Sequence, residues 1–248
     1  MTNDVTRAGV LRVIGVGPGD PELMTLKAAR LCAAAGVVAY FAKRGERGHA
    51  RAIAANHIRR DCEEIRLEYP LTTEIPSDDP RYRREIAAFY KDAAARLAGL
   101  LGAGRDIALL CEGDPIFYGS GLHLLERLDA DFATEIIPGV SGMSGCWARA
   151  RLPLLRGSDC LVVLPATLDA ATMAAKLASV EAAVILKLGR NLSKVRKVLE
   201  DAGRLVDAAY IERGTMAEEC VMPLVARDPA LPAPYFSLLI IPTRGSRR

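Results

Sequence analysis

Four glycine-rich loops carry the residues of this 248-residue chain best suited to hold a ligand: GVGPGD (15–20), EGDP (112–115), PGVSG (138–142) and KLGRN (187–191). Each follows a short apolar run that reads as a strand. In an open α/β sheet, ligands gather at the carboxyl ends of the strands, where loops and helix N-termini converge. Glycine there lets backbone come close to a bound molecule. Glycine and proline also simply turn a chain, and the loops alone are compatible with either role. What they lack narrows the ligand. GVGPGD is not GxGxxG: Pro18 has no N–H to offer a phosphate, and Asp20 would repel one. GxxxxGK[ST] occurs nowhere. A nucleoside triphosphate is therefore disfavoured and a dinucleotide poorly matched, whereas a nucleoside without phosphates is tolerated. S-adenosylmethionine is one such molecule. No Ser-His-Asp or Cys-His arrangement for covalent catalysis is evident.

The elements that would position these loops alternate. Strands are expected at 10–16, 37–41, 64–67, 106–111 and 134–137. Between them, helices are expected at 22–35 (apolar at Leu23, Leu26, Ala29 and Ala33), 50–58, 81–101 and 122–128, with a polar, proline-containing loop at 69–80. Such alternation implies a parallel sheet with helices on its faces. After PGVSG the pattern restarts, with strands at 161–164, 183–187 and 206–211 and helices at 170–177 and 192–201. The tail departs from it. Residues 219–224 and 235–241 read as strands joined by a proline-rich turn (228–234) with no helix between, which predicts antiparallel pairing. The expected architecture is α/β with two αβα domains, 1–139 and 140–248. The first has a mostly parallel five-stranded sheet and the second a mixed sheet. No internal repeat or low-complexity tract is present.

Composition excludes several classes. Half the chain is apolar, enough for a sizeable core, and a quarter is charged. A net charge of +3 from scattered basic residues, with only 5% aromatics, argues against nucleic acid as a partner. The opening MTNDVTRAGVLRV has no apolar stretch of signal-peptide length, and no segment approaches the ~18–20 apolar residues of a membrane helix. A cytoplasmic protein without membrane contact is expected. Cys32, Cys62, Cys111, Cys146, Cys160 and Cys220 form no CxxC pair and read as reduced thiols. His49 and His57 are too far apart along a helix to share one ion, so no metal centre is expected.

VIGVGPGDPELMTLKAARL, LLCEGDPIFYGS, IIPGVSG and ILKLGRN, in this order and spacing, resemble the tetrapyrrole methylase family. VVAYFAKRG, VVLPATL, KLGRNLSKVRKVLEDAG, ERGTM and PYFSLLII extend the likeness over nearly the whole chain, toward the branch that methylates the C20 bridge carbon of precorrin-2 or cobalt-precorrin-2 in cobalamin biosynthesis. The resemblance implies two α/β domains with S-adenosylmethionine in the cleft between them, and a homodimer. It implies cofactor contacts at Pro18, Glu112, Gly113, Asp114, Phe117, Ser141, Gly142, Leu188 and Gly214. Glu112 departs from the family pattern, which has glycine there. Methyl transfer from a sulfonium needs alignment and exclusion of water more than a nucleophile. A base for the departing proton is sought among Tyr40, Glu112 and Asp114. The many carboxylates of such a substrate call for cations, and Lys43, Arg44, Arg47 and Arg51 follow the second strand. Arg149, Arg151 and Arg156 are the second choice.

Several rivals stand beside this reading. The uroporphyrinogen III branch carries an Asp in a YD step after the second strand, where this chain has Tyr40-Phe41-Ala42. Other relatives of this fold methylate RNA or protein. A non-catalytic binding protein and a dinucleotide oxidoreductase complete the set, the latter lacking its GxGxxG here.

Overall fold

The computed structural model describes residues 7–72, 75 and 79–244. Of the loop expected at 69–80, residues 73–74 and 76–78 lie outside the described residues, as do residues 1–6 of the N-terminal stretch. The chain divides into two compact units, Met1–Gly142 and Met143–Arg248.

The first unit holds strands β1 (Val10–Gly15), β2 (Val37–Lys43), β3 (Glu63–Tyr69), β4 (Ile107–Cys111) and β5 (Ala133–Ile137). Its helices are α1 (Leu26–Ala34), α2 (His49–Ile53), α3 (Pro80–Gly102) and α4 (Gly121–Leu128). The strands lie in the order β3-β2-β4-β1-β5 and pair in parallel throughout. Burial on both faces explains the nearly unbroken apolar sequences of β2 and β4, whereas the edge strand β3, EEIRLEY, alternates charged and apolar residues. Leu11, Val13, Val37, Ala39, Ile107 and Leu109 pack under α3 and α4, against Leu97, Leu101, Leu124 and Leu128. Ile14, Val38, Tyr40, Ala108 and Leu110 face the other way, against Ala28 and Cys32 of α1 and Ala50 and Ile53 of α2. Thus β1 feeds a helix on one face while its neighbour β4 feeds a helix on the other. Their carboxyl ends form the topological switch point of the sheet, where ligands of such folds bind.

The helix expected at 22–35 is divided. Asp20 accepts the Glu22 N–H at 2.9 Å and starts a one-turn 3-10 helix, Pro21–Leu23. Thr25 then caps α1 by accepting the Ala28 N–H at 3.1 Å. Such a cap contributes about 1 kcal/mol. The later start rotates the buried face onto Ala28 and Cys32, and leaves Leu26 91% exposed. Likewise α2 ends at Ile53, and a 3-10 turn completes the segment expected as helix to 58.

The second unit is built from α5 (Gly142–Ala150), β6 (Leu161–Pro165), α6 (Ala170–Ala178), β7 (Ala182–Leu186), α7 (Leu192–Asp201), β8 (Ala209–Glu212), β9 (Cys220–Pro223) and β10 (Ser237–Ile241). Its sheet order is β6-β7-β10-β8-β9. The mixed sheet is present: β6 and β7 are parallel, and β10 is antiparallel to both β7 and β8. The tail strands do not pair with each other, however. Each flanks β8, because SLLII is buried along its whole length and takes an interior position. CVMP is half exposed and ends in proline, which suits an edge. The strand expected from 206 begins at Ala209, since Leu205–Asp207 is a 3-10 turn with Val206 63% exposed. Helix α5 has no counterpart in the sequence reading. GMSGCWARA is rich in small residues and lacks a clear apolar stripe, and only Gly145 and Cys146 are buried.

Candidate functional site

At the switch point three loops meet backbone to backbone. The Val16 N–H donates to the Cys111 carbonyl at 2.9 Å, and the Gly113 N–H donates to the Gly17 carbonyl at 2.8 Å. A Cβ on Gly139 would lie 2.1 Å from the Gly113 oxygen, and one on Gly15 would lie 2.6 Å from it and 2.7 Å from the Gly139 nitrogen. No side chain fits at either position. Gly113 itself has φ +64°, and a Cβ there would approach the Gly142 nitrogen to 3.3 Å. Asp114 fastens the same junction, accepting the Ile116 N–H at 3.1 Å and the Gly139 N–H at 3.3 Å. Loops 15–20, 112–118 and 138–142 are therefore one rigid piece that also holds Pro18, which is buried. Gly142 is exposed with open space where a Cβ would stand, Ser141 is half-buried beside it, and Phe117 lies at the surface between exposed Ile116 and Tyr118. Gly15 and Gly139 lie in the GVGPGD and PGVSG motifs but are not among the expected cofactor contacts. Their signal is glycine at or just past a strand's last residue.

The acid–base candidates differ sharply. Tyr40 is buried on the α1/α2 face and donates to Glu64. Burial first, then the Glu64 charge, pushes its phenol upward. Arg51 grips the same Glu64 with two bonds of 2.8 and 2.7 Å, and this holds the carboxylate below its usual range. Tyr40 and Arg51 are thus tied together through Glu64. Asp114 spends both oxygens on backbone N–H groups. Glu112 exposes part of its surface, yet its carboxyl group is crowded by protein. That burial raises its pKa, and a hydrogen bond from the Ala50 N–H offsets the rise in part. Burial and a carboxyl group displaced upward are features that catalytic acids and bases share. Lys43, the last residue of β2, and Arg44 and Arg47 just beyond it are exposed, and the Arg47 charge reaches Glu64 from outside the Arg51 pair. Phe41, at the position of the rival branch's Asp, stacks on Tyr69 at 5.5 Å and packs near Phe89 and Tyr90.

In the second unit the expected contacts are held differently. The Leu188 side chain is fully buried in the core, and its carbonyl accepts the Asn191 N–H at 2.7 Å. A ligand at this loop would meet backbone, and beside Gly189 a Cβ would find nothing within 4 Å. Gly214 is pressed onto α5, where a Cβ would lie 2.4 Å from the Cys146 sulfur. Tyr118, Lys187, Arg213 and Thr215 all have positive φ despite being non-glycine, and all lie in the motif loops. Strain of this kind concentrates at ligand sites. Arg149, a second-choice cation, is engaged with Glu219.

Loops 15–20 and 112–118 contain Asp20, Glu112 and Asp114 and no Lys or Arg. This chemistry, with open space beside Gly142, fits a nucleoside bearing positive rather than negative charge, which describes the sulfonium of S-adenosylmethionine. Among the described residues, no group of three or more His, Cys, Asp or Glu is placed to hold a metal ion. Nor is any helix long and apolar enough to cross a membrane.

The chain belongs to the Tetrapyrrole (Corrin/Porphyrin) Methylases, whose family model matches residues 10–229. It is 50% identical over 236 residues to a precorrin-2 C(20)-methyltransferase of Sinorhizobium sp, covering 94% of this chain and 96% of the relative. To a cobalt-precorrin-2 C(20)-methyltransferase of Salmonella typhimurium it is 26% identical, again over 94% of this chain and 96% of the relative. The uroporphyrin-III C-methyl transferase of Thermus thermophilus, solved with S-adenyl homocysteine, shares its fold. The TM-score is 0.64 at 23% identity, covering 94% of this chain and 92% of that one.

Proposed function

We propose that this protein transfers a methyl group from S-adenosylmethionine to C20 of precorrin-2 in cobalamin biosynthesis. The observation that carries the reading is the 50% identity to a C(20)-methyltransferase across almost the full length of both chains. The lower identity, 26%, to the relative named for cobalt-precorrin-2 supports precorrin-2 itself as substrate. The cofactor residues are Pro18, Glu112, Gly113, Asp114, Phe117, Ser141 and Gly142 in the first unit, with Leu188 and Gly214 in the second.

Bound S-adenosylmethionine supplies a methyl group already activated on sulfur. The residues of this chain align that group and exclude water. The glycine junction at 15, 113 and 139 brings the loops into direct backbone contact, which supports that alignment. As the new bond forms at the bridge carbon, the carbon's proton must leave. Glu112 is the residue we assign to take it, since Tyr40 is engaged with Glu64 and Asp114 with backbone N–H groups. Lys43, Arg44 and Arg47 form the rim that meets substrate carboxylates, and Arg51 supports the rim through Glu64. A homodimer in the cytoplasm completes the proposal, on the strength of the family resemblance. Sedimentation at micromolar concentration tests the first part.

The decisive experiment is anaerobic incubation with precorrin-2, with and without cobalt, and methyl-labelled S-adenosylmethionine, followed by NMR of the product. The label is expected at C20. A label on a peripheral pyrrole carbon, or comparable turnover of uroporphyrinogen III, would sink the assignment.

A further inference from the structure

The turn at 213–215 is expensive. Thr215 has φ +69° and Arg213 has φ +48°. A left-handed conformation is a genuine outlier for a β-branched residue and costs roughly 1–3 kcal/mol. Such strain persists only where surrounding structure enforces it. Here the enforcing group is Glu219, whose side chain is 15% exposed. One of its oxygens accepts the Thr215 N–H at 2.6 Å. Arg149, on α5, holds both Glu219 oxygens at 2.8 and 2.9 Å. Arg213 is fastened separately, by its N–H on the Phe236 carbonyl at 2.8 Å and by an ion pair with Glu218. Between the two strained residues, Gly214 is pressed against Cys146 of the same helix α5. The first residue of α5 is Gly142, itself one of the cofactor residues assigned above.

We infer that Glu219 is a positioning residue: with Arg149 it locks the strained Arg213-Gly214-Thr215 turn onto α5, so that Gly214 and the start of α5 are presented to the cofactor as one preformed surface. This rests on the reading of Gly214 as a cofactor contact. Arg149 is 59% exposed, so its ion pair contributes little stability on its own. Its role is to aim the carboxylate at the Thr215 N–H. A hydrogen bond to a charged acceptor is strong enough to hold such a turn.

The test combines amide hydrogen exchange at Thr215 with calorimetric titration of S-adenosylhomocysteine, on wild type, Glu219→Ala, Glu219→Gln and Glu219→Ala/Thr215→Gly. In Glu219→Ala the Thr215 amide should exchange at least about tenfold faster and affinity should fall about tenfold, the loss of one charge-assisted bond. Glu219→Gln keeps an acceptor and should stay within about threefold of wild type. In the double variant the loss should shrink, because glycine adopts positive φ without penalty. Unchanged Thr215 exchange in Glu219→Ala overturns the inference. So does a lowered melting temperature with unchanged affinity, the mark of a merely structural role. Should Glu219→Ala not fold, Arg149→Met probes the same lock from the surface, with an expected loss of roughly threefold; unchanged affinity there overturns it too. Wild-type protein with a protected Thr215 amide but no affinity for S-adenosylhomocysteine would instead refute the proposed function.

Discussion

The two units hold their motif loops by opposite means. In the first, the loops after β1, β4 and β5 touch backbone to backbone, and at that junction the left-handed conformations fall on Gly17 and Gly113, with Tyr118 the one left-handed side-chain residue of its loop. Rigidity there comes from having no side chain at the contact. In the second, Lys187, Arg213 and Thr215 carry left-handed φ with full side chains. Around Arg213–Thr215, side-chain bonds such as Glu219 to Thr215 hold the strain. A glycine junction tolerates no addition, whereas a strained turn clamped by side chains tolerates relief. The two should therefore answer oppositely to the same kind of substitution.

Gly139→Ala is the harshest way to try this. Its β-carbon would stand 2.1 Å from the Gly113 carbonyl oxygen, so the first unit must open at its switch point. A loss of at least about 2–3 kcal/mol is expected, with S-adenosylhomocysteine binding abolished. Near-native stability by denaturant titration would show that the junction yields. Gly113→Val acts at the same place, through φ +64° as well as through contact.

Glu112→Gln separates chemistry from scaffold within the first unit. If Glu112 accepts the proton, kcat should fall about a hundredfold or more and the acidic limb of its pH profile should vanish, a loss much larger than any fall in cofactor affinity. Stability should move the other way. With its folded pKa raised, Glu112 keeps its proton longer in the folded state than in the unfolded one. It therefore weakens the fold as pH rises from the unfolded pKa through the folded one. The Gln variant should melt higher than wild type at neutral pH, and the gain should disappear in acid. An unchanged pH profile would move the base elsewhere.

Charge distinguishes the units more gently. Replacing Lys43, Arg44 and Arg47 by Gln should raise KM for the acidic substrate about tenfold and flatten its salt dependence. Replacing Arg151 and Arg156 in the second unit should do neither; equal effects would erase that difference. Adding Arg51→Gln to the first set should chiefly lower stability, since it removes both Arg51 bonds to Glu64 and leaves that carboxylate with Tyr40. The contribution of Glu64 is present above its unfolded pKa and is lost as pH falls through its lowered folded value.

The mildest test is Thr215→Gly. Relief of a left-handed β-branched residue should offset the greater freedom of the unfolded chain, leaving stability within about 1 kcal/mol of wild type. A loss as large as that of Gly139→Ala would mean that the two loop systems do not differ in kind.

Read from residues alone, the chain already specified its α/β class, its parallel and mixed sheets and most of its elements. A buried strand must be apolar, and a helix must repeat at its own period. Only the tertiary structure decided where faces and partners fall. Leu26 looked like core, but the Thr25 cap reset the helix and left it in solvent. The tail strands looked like a hairpin, but SLLII, buried along its length, took the place between β7 and β8. Helix α5 left no periodic trace because its buried residues are small. At the site, the motif glycines were legible, yet which of them touch was not, since Gly15, Gly113 and Gly139 are joined by strand order rather than by sequence distance. Nor could sequence tell Glu112 from Asp114. Two residues apart, they differ because one carboxylate fastens the backbone of its own unit and the other stands crowded with a single N–H to meet it.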